Sequence, residues 1–185
     1  QVGLDHTDVV RYTANGFPDV SFGGGSGKLT ILGNDVGQGL ALQPDGKLLL
    51  VGSLINPIAP ASAGFLLKRL MPNGTLDSGF GTAGTVATSL SVNAAANAVA
   101  LLADGRMVVV GSRMFSANPN FVVARYAADG ALDTSFGIGG TLSIDFFGFT
   151  DLGENVLVQA DGKILVSGSA QTLRSDGYGL ARINP

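Results

Sequence analysis

The sequence predicts an all-β fold built from repeated antiparallel sheets, and three observations support this. An Asp-Gly turn recurs three times, with its glycine at Gly46, Gly105 and Gly162, which lie 59 and 57 residues apart. Short apolar segments flank each turn, as in a β-hairpin. The 185 residues include 28 glycines, and only 14% are charged, a composition that favours strands and turns around a packed core. A period of this size is typical of a modular repeat architecture.

Each repeat contains four predicted strands. The first precedes the Asp-Gly turn, over 39–43, 98–102 and 155–159. The second follows the turn, over 47–53, 106–112 and 163–169, and its continuous apolar residues indicate burial on both faces. The third is predicted at 8–12, 65–70, 121–126 and 178–183, and the fourth begins at Lys28, Thr85 and Thr141.

A conspicuous element connects the third strand to the fourth. It reads Asp-Val-Ser-Phe-Gly at 19–23 and Asp-Thr-Ser-Phe-Gly at 133–137, and the copy at 77–81 departs from this at Gly79. We expect the Asp to bond nearby backbone amides in a tight turn and the Phe to pack between sheets. An arginine precedes each of these aspartates by eight residues, at Arg11, Arg69 and Arg125, which predicts a recurring ion pair.

Four-stranded antiparallel sheets that are buried on both faces must stack, and radial stacking gives a β-propeller. A β-solenoid is the alternative. The predicted single domain, 1–185, has units at about 8–53, 65–112 and 121–169 and a final strand at 178–184.

Three segments resemble the delta-60 repeat family: LDTSFGIGG at 132–140, QADGKILVSG at 159–168 and LAR at 180–182. These are tandem repeats of bacterial, often secreted or surface-associated proteins. The resemblance implies a propeller-like fold, and since the family carries no general catalytic assignment, it implies no activity.

The predicted strands number thirteen, which is three units and one extra strand. Closed propellers have at least about four blades, so we expect an open, propeller-like arc of about three blades with unpaired edges. Another chain or another copy covers those edges, or the chain is a piece of a longer protein. Arg182 has no aspartate eight residues later, so its partner should come from another chain, the N-terminal segment or residues beyond this sequence.

Composition excludes several classes of protein. The net charge is −3 and Lys and Arg are scattered, which argues against a nucleic-acid partner. Cysteine is absent, which excludes disulfides and thiolate metal sites. No apolar run is long enough for a transmembrane segment. The chain starts at Gln1, and we expect a periplasmic or extracellular protein whose signal peptide was removed before that residue.

Apolar residues in variable loops predict a partner-binding surface, because clustered exposed apolar groups mark interaction sites. Together with Arg182, the candidates are Asn56, Pro57, Ile58, Met114, Phe115, Phe146, Phe147 and Phe149. The alternative is that these apolar residues cover the open edges of the blades.

Three carboxylates before the first strands, Asp35, Asp151 and Glu154, are candidate ligands for Ca²⁺, although solvated loop acids explain them better. We therefore expect a non-enzymatic repeat scaffold that needs no cofactor and binds proteins as a peripheral subunit of a surface or membrane-associated assembly. The alternatives are a carbohydrate- or Ca²⁺-binding module and a hydrolase that uses Asp151 and Glu154. The absence of Trp and the presence of only three Tyr argue against carbohydrate binding.

Overall fold

The protein consists of four antiparallel sheets that follow one another along the chain. The structure is a computed structural model, which describes residues 6–33, 35–54, 64–90, 94–114 and 118–184. The described strands are β1 (His6–Val10), β2 (Lys28–Leu32), β3 (Asp35–Leu42), β4 (Leu48–Leu54), β5 (Gly64–Leu70), β6 (Thr85–Ser89), β7 (Ala95–Leu101), β8 (Met107–Met114), β9 (Pro119–Tyr126), β10 (Thr141–Ile144), β11 (Asp151–Val158), β12 (Ile164–Gln171) and β13 (Asp176–Ile183).

The sheets are the blades of a propeller-like array. Blade I is β1-β2, blade II is β3-β4-β5-β6, blade III is β7-β8-β9-β10 and blade IV is β11-β12-β13. Blades II and III each contain an inner, a second, a third and an outer strand in chain order; blade I has the third and outer strands, and blade IV has the inner, second and third. These strands and their grouping confirm the predicted all-β fold.

The Asp-Gly turns form the hairpins between inner and second strands. In the first of them the Gln43 amide donates to the Lys47 carbonyl at 2.8 Å and the Gly46 amide donates to the Gln43 carbonyl at 2.9 Å. Gly46 has φ of +82°, in the left-handed region that glycine adopts at low cost. The same bonds recur at 102–106 and 159–163, so the predicted hairpins are confirmed.

Every inner strand carries a β-bulge at the same repeat position. The pairing shifts at Gln38 in β3, at Asn97 in β7 and at Glu154 in β11. Neighbouring inner strands approach closely here: a Cβ added to Gly39 would lie 2.6 Å from the Asn97 carbonyl oxygen. Asn97 also donates its side-chain amide to the Gly153 carbonyl at 2.7 Å, which links the inner strands of blades III and IV.

Apolar cores lie between successive blades. The largest packs Leu49 and Phe65 of blade II against Met107 and Tyr126 of blade III. A second core joins blades III and IV, and a smaller one around Phe22 joins blades I and II. The stability of the array therefore comes from faces that adjacent blades bury against each other.

The array is open between its first and last blades. Among the described residues, blades I and IV form no common sheet or core. The outward edge of β13 pairs with no described strand.

No helix in the described ranges has the length and apolar character needed to cross a bilayer.

Candidate interaction surface

The predicted arginine–aspartate pair is present in blades I, II and III. Nε of Arg69 donates to Oδ2 of Asp77 at 2.8 Å, and Arg125 binds Asp133 at the same distance. The pair of blade I, Arg11 with Asp19, measures 2.9 Å. The recurring pair that the eight-residue spacing predicts is therefore confirmed.

Arg11 and Arg69 also connect their blades to the next one. The NH1 group of Arg69 donates to the Ala128 carbonyl at 2.5 Å, and NH1 of Arg11 donates to the Pro72 carbonyl. The guanidinium of Arg69 stacks on the ring of Phe80, 4.5 Å from its centroid. We call this set of arginine, aspartate and phenylalanine the clamp.

The aspartate of the clamp shapes the turn that carries the phenylalanine. In blade II, Oδ1 of Asp77 accepts the Gly79 amide at 3.0 Å, and the Phe80 amide donates to the Asp77 carbonyl at 3.0 Å. Phe80 is fully buried between blades II and III. These contacts confirm the architectural interpretation of the repeated element.

The clamp aspartates are strong acceptors. In blade III, the Ser135 hydroxyl, the Ser135 amide and Arg125 together hold the pKa of Asp133 at about 2, with the hydroxyl the largest contributor. A lowered pKa also applies to Asp77, chiefly because Lys47 binds it. The clamp therefore depends on ionised carboxylates.

A second cation binds the same aspartate in blades II and III. Nζ of Lys47, directly after the first Asp-Gly turn, lies 3.1 Å from Oδ2 of Asp77. In blade III, Arg106 lies 3.4 Å from Oδ2 of Asp133. One carboxylate thus bridges the third strand and the beginning of the second strand.

In blade IV the arginine and the second cation are both present, and no aspartate of the described residues binds that arginine. Arg182 in β13 is equivalent to Arg69 and Arg125 in their own blades, and Lys163 is equivalent to Lys47. Lys163 pairs with Asp161 of its own turn, and Arg182 is exposed, with no carboxylate partner in the described parts of the chain. The N-terminal segment is one of the expected sources of a partner for Arg182, and its described residues 6–33 do not supply one.

An exposed apolar face surrounds Arg182. Strand register places Leu157, Leu165, Tyr178, Leu180 and Arg182 on the outward side of blade IV, and we call these five residues the terminal face. Tyr178 is 94% exposed and Leu180 is 67% exposed. The equivalent residues of blades II and III are completely buried by the following blade: Phe65, Leu67, Phe121 and Val123. The terminal face therefore has the composition of a blade-to-blade contact without a described neighbour.

The aromatic residues before β11 behave differently from one another. Phe146 packs inward, its ring 5.2 Å from that of Phe121 in an edge-to-face contact, and a Cβ at Gly179 would lie 2.5 Å from it. Phe147 is 60% exposed, and Phe149 is half-buried. Of the predicted partner-binding residues in this segment, Phe147 is the exposed one.

The other predicted loop residues mostly fall outside the described residues. This applies to Asn56, Pro57, Ile58 and Phe115. Met114 ends β8 opposite Pro119. The next described residue, Asn118, donates its side-chain amide to the Gly148 carbonyl at 3.1 Å, so it contacts the segment before β11.

The structure describes the side chains of two candidate metal ligands, Asp151 and Glu154, and that of Asp35 lies outside the described residues. Asp151 is fully buried, and its Oδ2 accepts the Phe146 amide at 2.9 Å. Within the described ranges its Oδ1 has no hydrogen-bond partner, and burial raises the pKa of this carboxyl. Glu154 is exposed, and Asp35 begins β3 opposite Leu54. The described residues contain no group of three or more His, Asp or Glu side chains that could hold a metal ion.

Sequence reasoning missed the terminal face. The alignment of the repeats contains the signal, because it makes Tyr178 and Leu180 equivalent to Phe65 and Leu67. These positions are apolar in every full repeat, so their exposure at one end follows once the array is known to be open.

Comparison with known proteins identifies a family. A model described as "Domain of unknown function (DUF5122) beta-propeller" matches residues 43–80, 102–136 and 159–185. No curated protein matches the chain. Among solved structures, the endo-arabinase of Bacteroides thetaiotaomicron VPI-5482 is similar, with a TM-score of 0.46 and 14% identity over 82% of this chain. The chain spans 56% of that structure.

Proposed function

Because the chain belongs to the DUF5122 family of β-propeller domains of unknown function, we propose that it is a non-enzymatic repeat scaffold that binds other proteins through its terminal face. The partner is another copy of the chain or a different protein of a larger surface or membrane-associated assembly. The finer identification as a delta-60 repeat, a periplasmic or extracellular location and independence from cofactors belong to the same proposal.

One observation carries the proposal: apolar positions that are buried in blades II and III are exposed at the equivalent places in blade IV. Tyr178 and Leu180 are 94% and 67% exposed, whereas Phe65 and Leu67 are completely buried. Burying a large apolar side chain is worth about 1.5–3 kcal/mol, so this pair provides a substantial driving force for association. Exposed apolar patches of this kind mark protein interaction sites.

The alternative of a hydrolase gains no support from the geometry of its candidate pair. Asp151 is buried whereas Glu154 is exposed, so the two side chains do not share one accessible surface. The terminal face is the larger and better defined feature.

The proposal is tested by measuring the particle mass of the chain by light scattering over a range of concentrations. We expect the unaltered chain to associate and the double variant Tyr178→Ser, Leu180→Ser to remain a single chain. Leu173→Ser is the matched control, since Leu173 is 84% exposed and lies in the β12–β13 turn, outside the terminal face. Association that is unchanged in the double variant would reject the proposal.

A further inference from the structure

We infer that the free edge of β13, with Arg182 and Lys163, is a binding site for an extended segment that begins with an Asp-x-Ser-Phe-Gly turn and continues as a β-strand. The inference rests on the proposed function and specifies the chemistry of the partner. The ligand is a peptide segment with one carboxylate, one phenylalanine and a strand-forming tail.

The first argument comes from the backbone. In blade II the Arg69 amide donates to the Gly84 carbonyl at 3.0 Å, and the Asp77 amide donates to the Arg69 carbonyl at 2.9 Å. In blade III, Arg125 makes the same two bonds with Gly140 and Asp133, at 3.1 and 2.8 Å. The peptide groups of these arginines are thus held by the turn segment, on the side away from the second strand.

Arg182 occupies the same register. It lies opposite Leu165 in β12, as Arg69 lies opposite Leu49 and Arg125 opposite Val108. Its amide and carbonyl therefore point towards the free edge of β13, where a turn segment would bind them. Addition of a strand to a free sheet edge is an established mode of peptide recognition.

The second argument is charge complementarity. In blades II and III a single aspartate neutralises two cations, with Oδ2 of Asp77 2.8 Å from Arg69 and 3.1 Å from Lys47. Arg182 near the end of β13 and Lys163 just before β12 repeat that cationic pair. Arginine binds a carboxylate through oriented, charge-assisted hydrogen bonds, so an aspartate in the incoming turn is the expected ligand group.

The third argument is apolar. The guanidinia of Arg11, Arg69 and Arg125 each lie 4.5 to 4.8 Å from the ring centroid of the phenylalanine three residues after the aspartate. The exposed Arg182 offers the same stacking partner to an incoming ring. A segment with only the aspartate or only the phenylalanine would make one of these two contacts and not the other.

The chain itself provides the probe. A synthetic peptide of residues 129–144 contains the turn, Asp133, Phe136 and the strand β10. Labelled with a fluorophore, it is titrated with the full chain and followed by fluorescence anisotropy. We expect saturable binding, and we expect a peptide with Asp133→Asn to bind about tenfold more weakly, because a charge-assisted hydrogen bond is lost.

Variants of the chain locate the site. Arg182→Ala should raise the dissociation constant of the unaltered peptide by about tenfold or more, and Arg182→Lys, which keeps the charge without the planar stacking group, should fall in between. Arg174→Ala is the matched control, since Arg174 is an exposed arginine in the turn before β13, and should leave the constant unchanged. Arg182 is exposed, so its replacement should not alter the melting temperature.

Two results would overturn the inference: no saturable binding of the peptide, or equal binding by the unaltered chain and by Arg182→Ala. Light scattering on the same samples separates this from the proposed function. A chain that stays single yet binds the peptide through Arg182 supports the inference and rejects self-association. A chain that associates while the peptide neither binds nor dissociates the assembly overturns the inference alone.

Discussion

Replacing Arg69 with alanine tests whether the clamps hold neighbouring blades together. Arg69 is 8% exposed, and its side chain contacts Asp77, the Ala128 carbonyl and the ring of Phe80. Losing the charge-assisted hydrogen bonds to Asp77 and to the part-buried Ala128 carbonyl costs roughly 1–3 kcal/mol each. The lost cation–π contact adds about 1 kcal/mol.

These losses are partly offset, because Asp77 keeps its contacts with Lys47 and the Gly79 amide. We therefore expect Arg69→Ala to lower the free energy of unfolding by about 3 kcal/mol. With a urea m-value of about 2 kcal/mol per molar, the unfolding midpoint should fall by about 1.5 M. The measurement is urea unfolding followed by circular dichroism.

Arg11→Ala is the matched control for burial. Arg11 makes the same three contacts, with Asp19, the Pro72 carbonyl and Phe22, but about a third of its side chain is exposed to solvent. Solvent screens exposed ion pairs strongly, so its loss should be clearly smaller. Equal effects of the two substitutions, or a loss below about 1 kcal/mol for Arg69→Ala, would refute the reasoning.

Three further predictions concern titration and packing. The pKa of Asp133 is about 2 instead of 3.8, so its ionised carboxylate stabilises the fold fully above pH 3.8 and loses this effect as the pH falls towards 2. Asp133→Asn should therefore flatten the pH dependence of the urea unfolding midpoint across that window. Burial raises the pKa of Asp151, so stability should decline as the pH rises from 3.8 through the raised value, and Asp151→Asn should weaken that decline. Gly153→Ala should cost at least about 2 kcal/mol, because its Cβ would lie 2.5 Å from the Gly111 carbonyl oxygen. Gly177→Ala, whose Cβ meets nothing closer than 3.5 Å, is its control in thermal unfolding, and equal melting temperatures would contradict this account.

Local patterns in the sequence were sufficient for the strands and for the clamp. The Asp-Gly hairpins depend on a few adjacent residues, and the pairing of Arg69 with Asp77 depends on a fixed spacing within one repeat. Both could be predicted because the chemistry that produces them lies close together along the chain.

Features that depend on packing between blades could not be predicted in this way. The bulges at Gln38, Asn97 and Glu154 arise where inner strands of adjacent blades meet. Phe146 turns inward because Gly179, more than thirty residues away in sequence, leaves space for its ring. The exposure of Tyr178 likewise depends on whether another blade packs against it and not on its own segment.

Amide hydrogen exchange of β5, β9 and β13 tests the central claim most directly, since these are the three equivalent strands of blades II, III and IV. In dilute solution, slow exchange is expected throughout β5 and β9, which have strands on both sides, while β13 should contain amides that exchange rapidly at its free edge. Raising the protein concentration, or adding the natural partner, should slow those amides alone. If β13 is as protected as β5 and β9 in the single chain, the edge is already covered and the account is wrong.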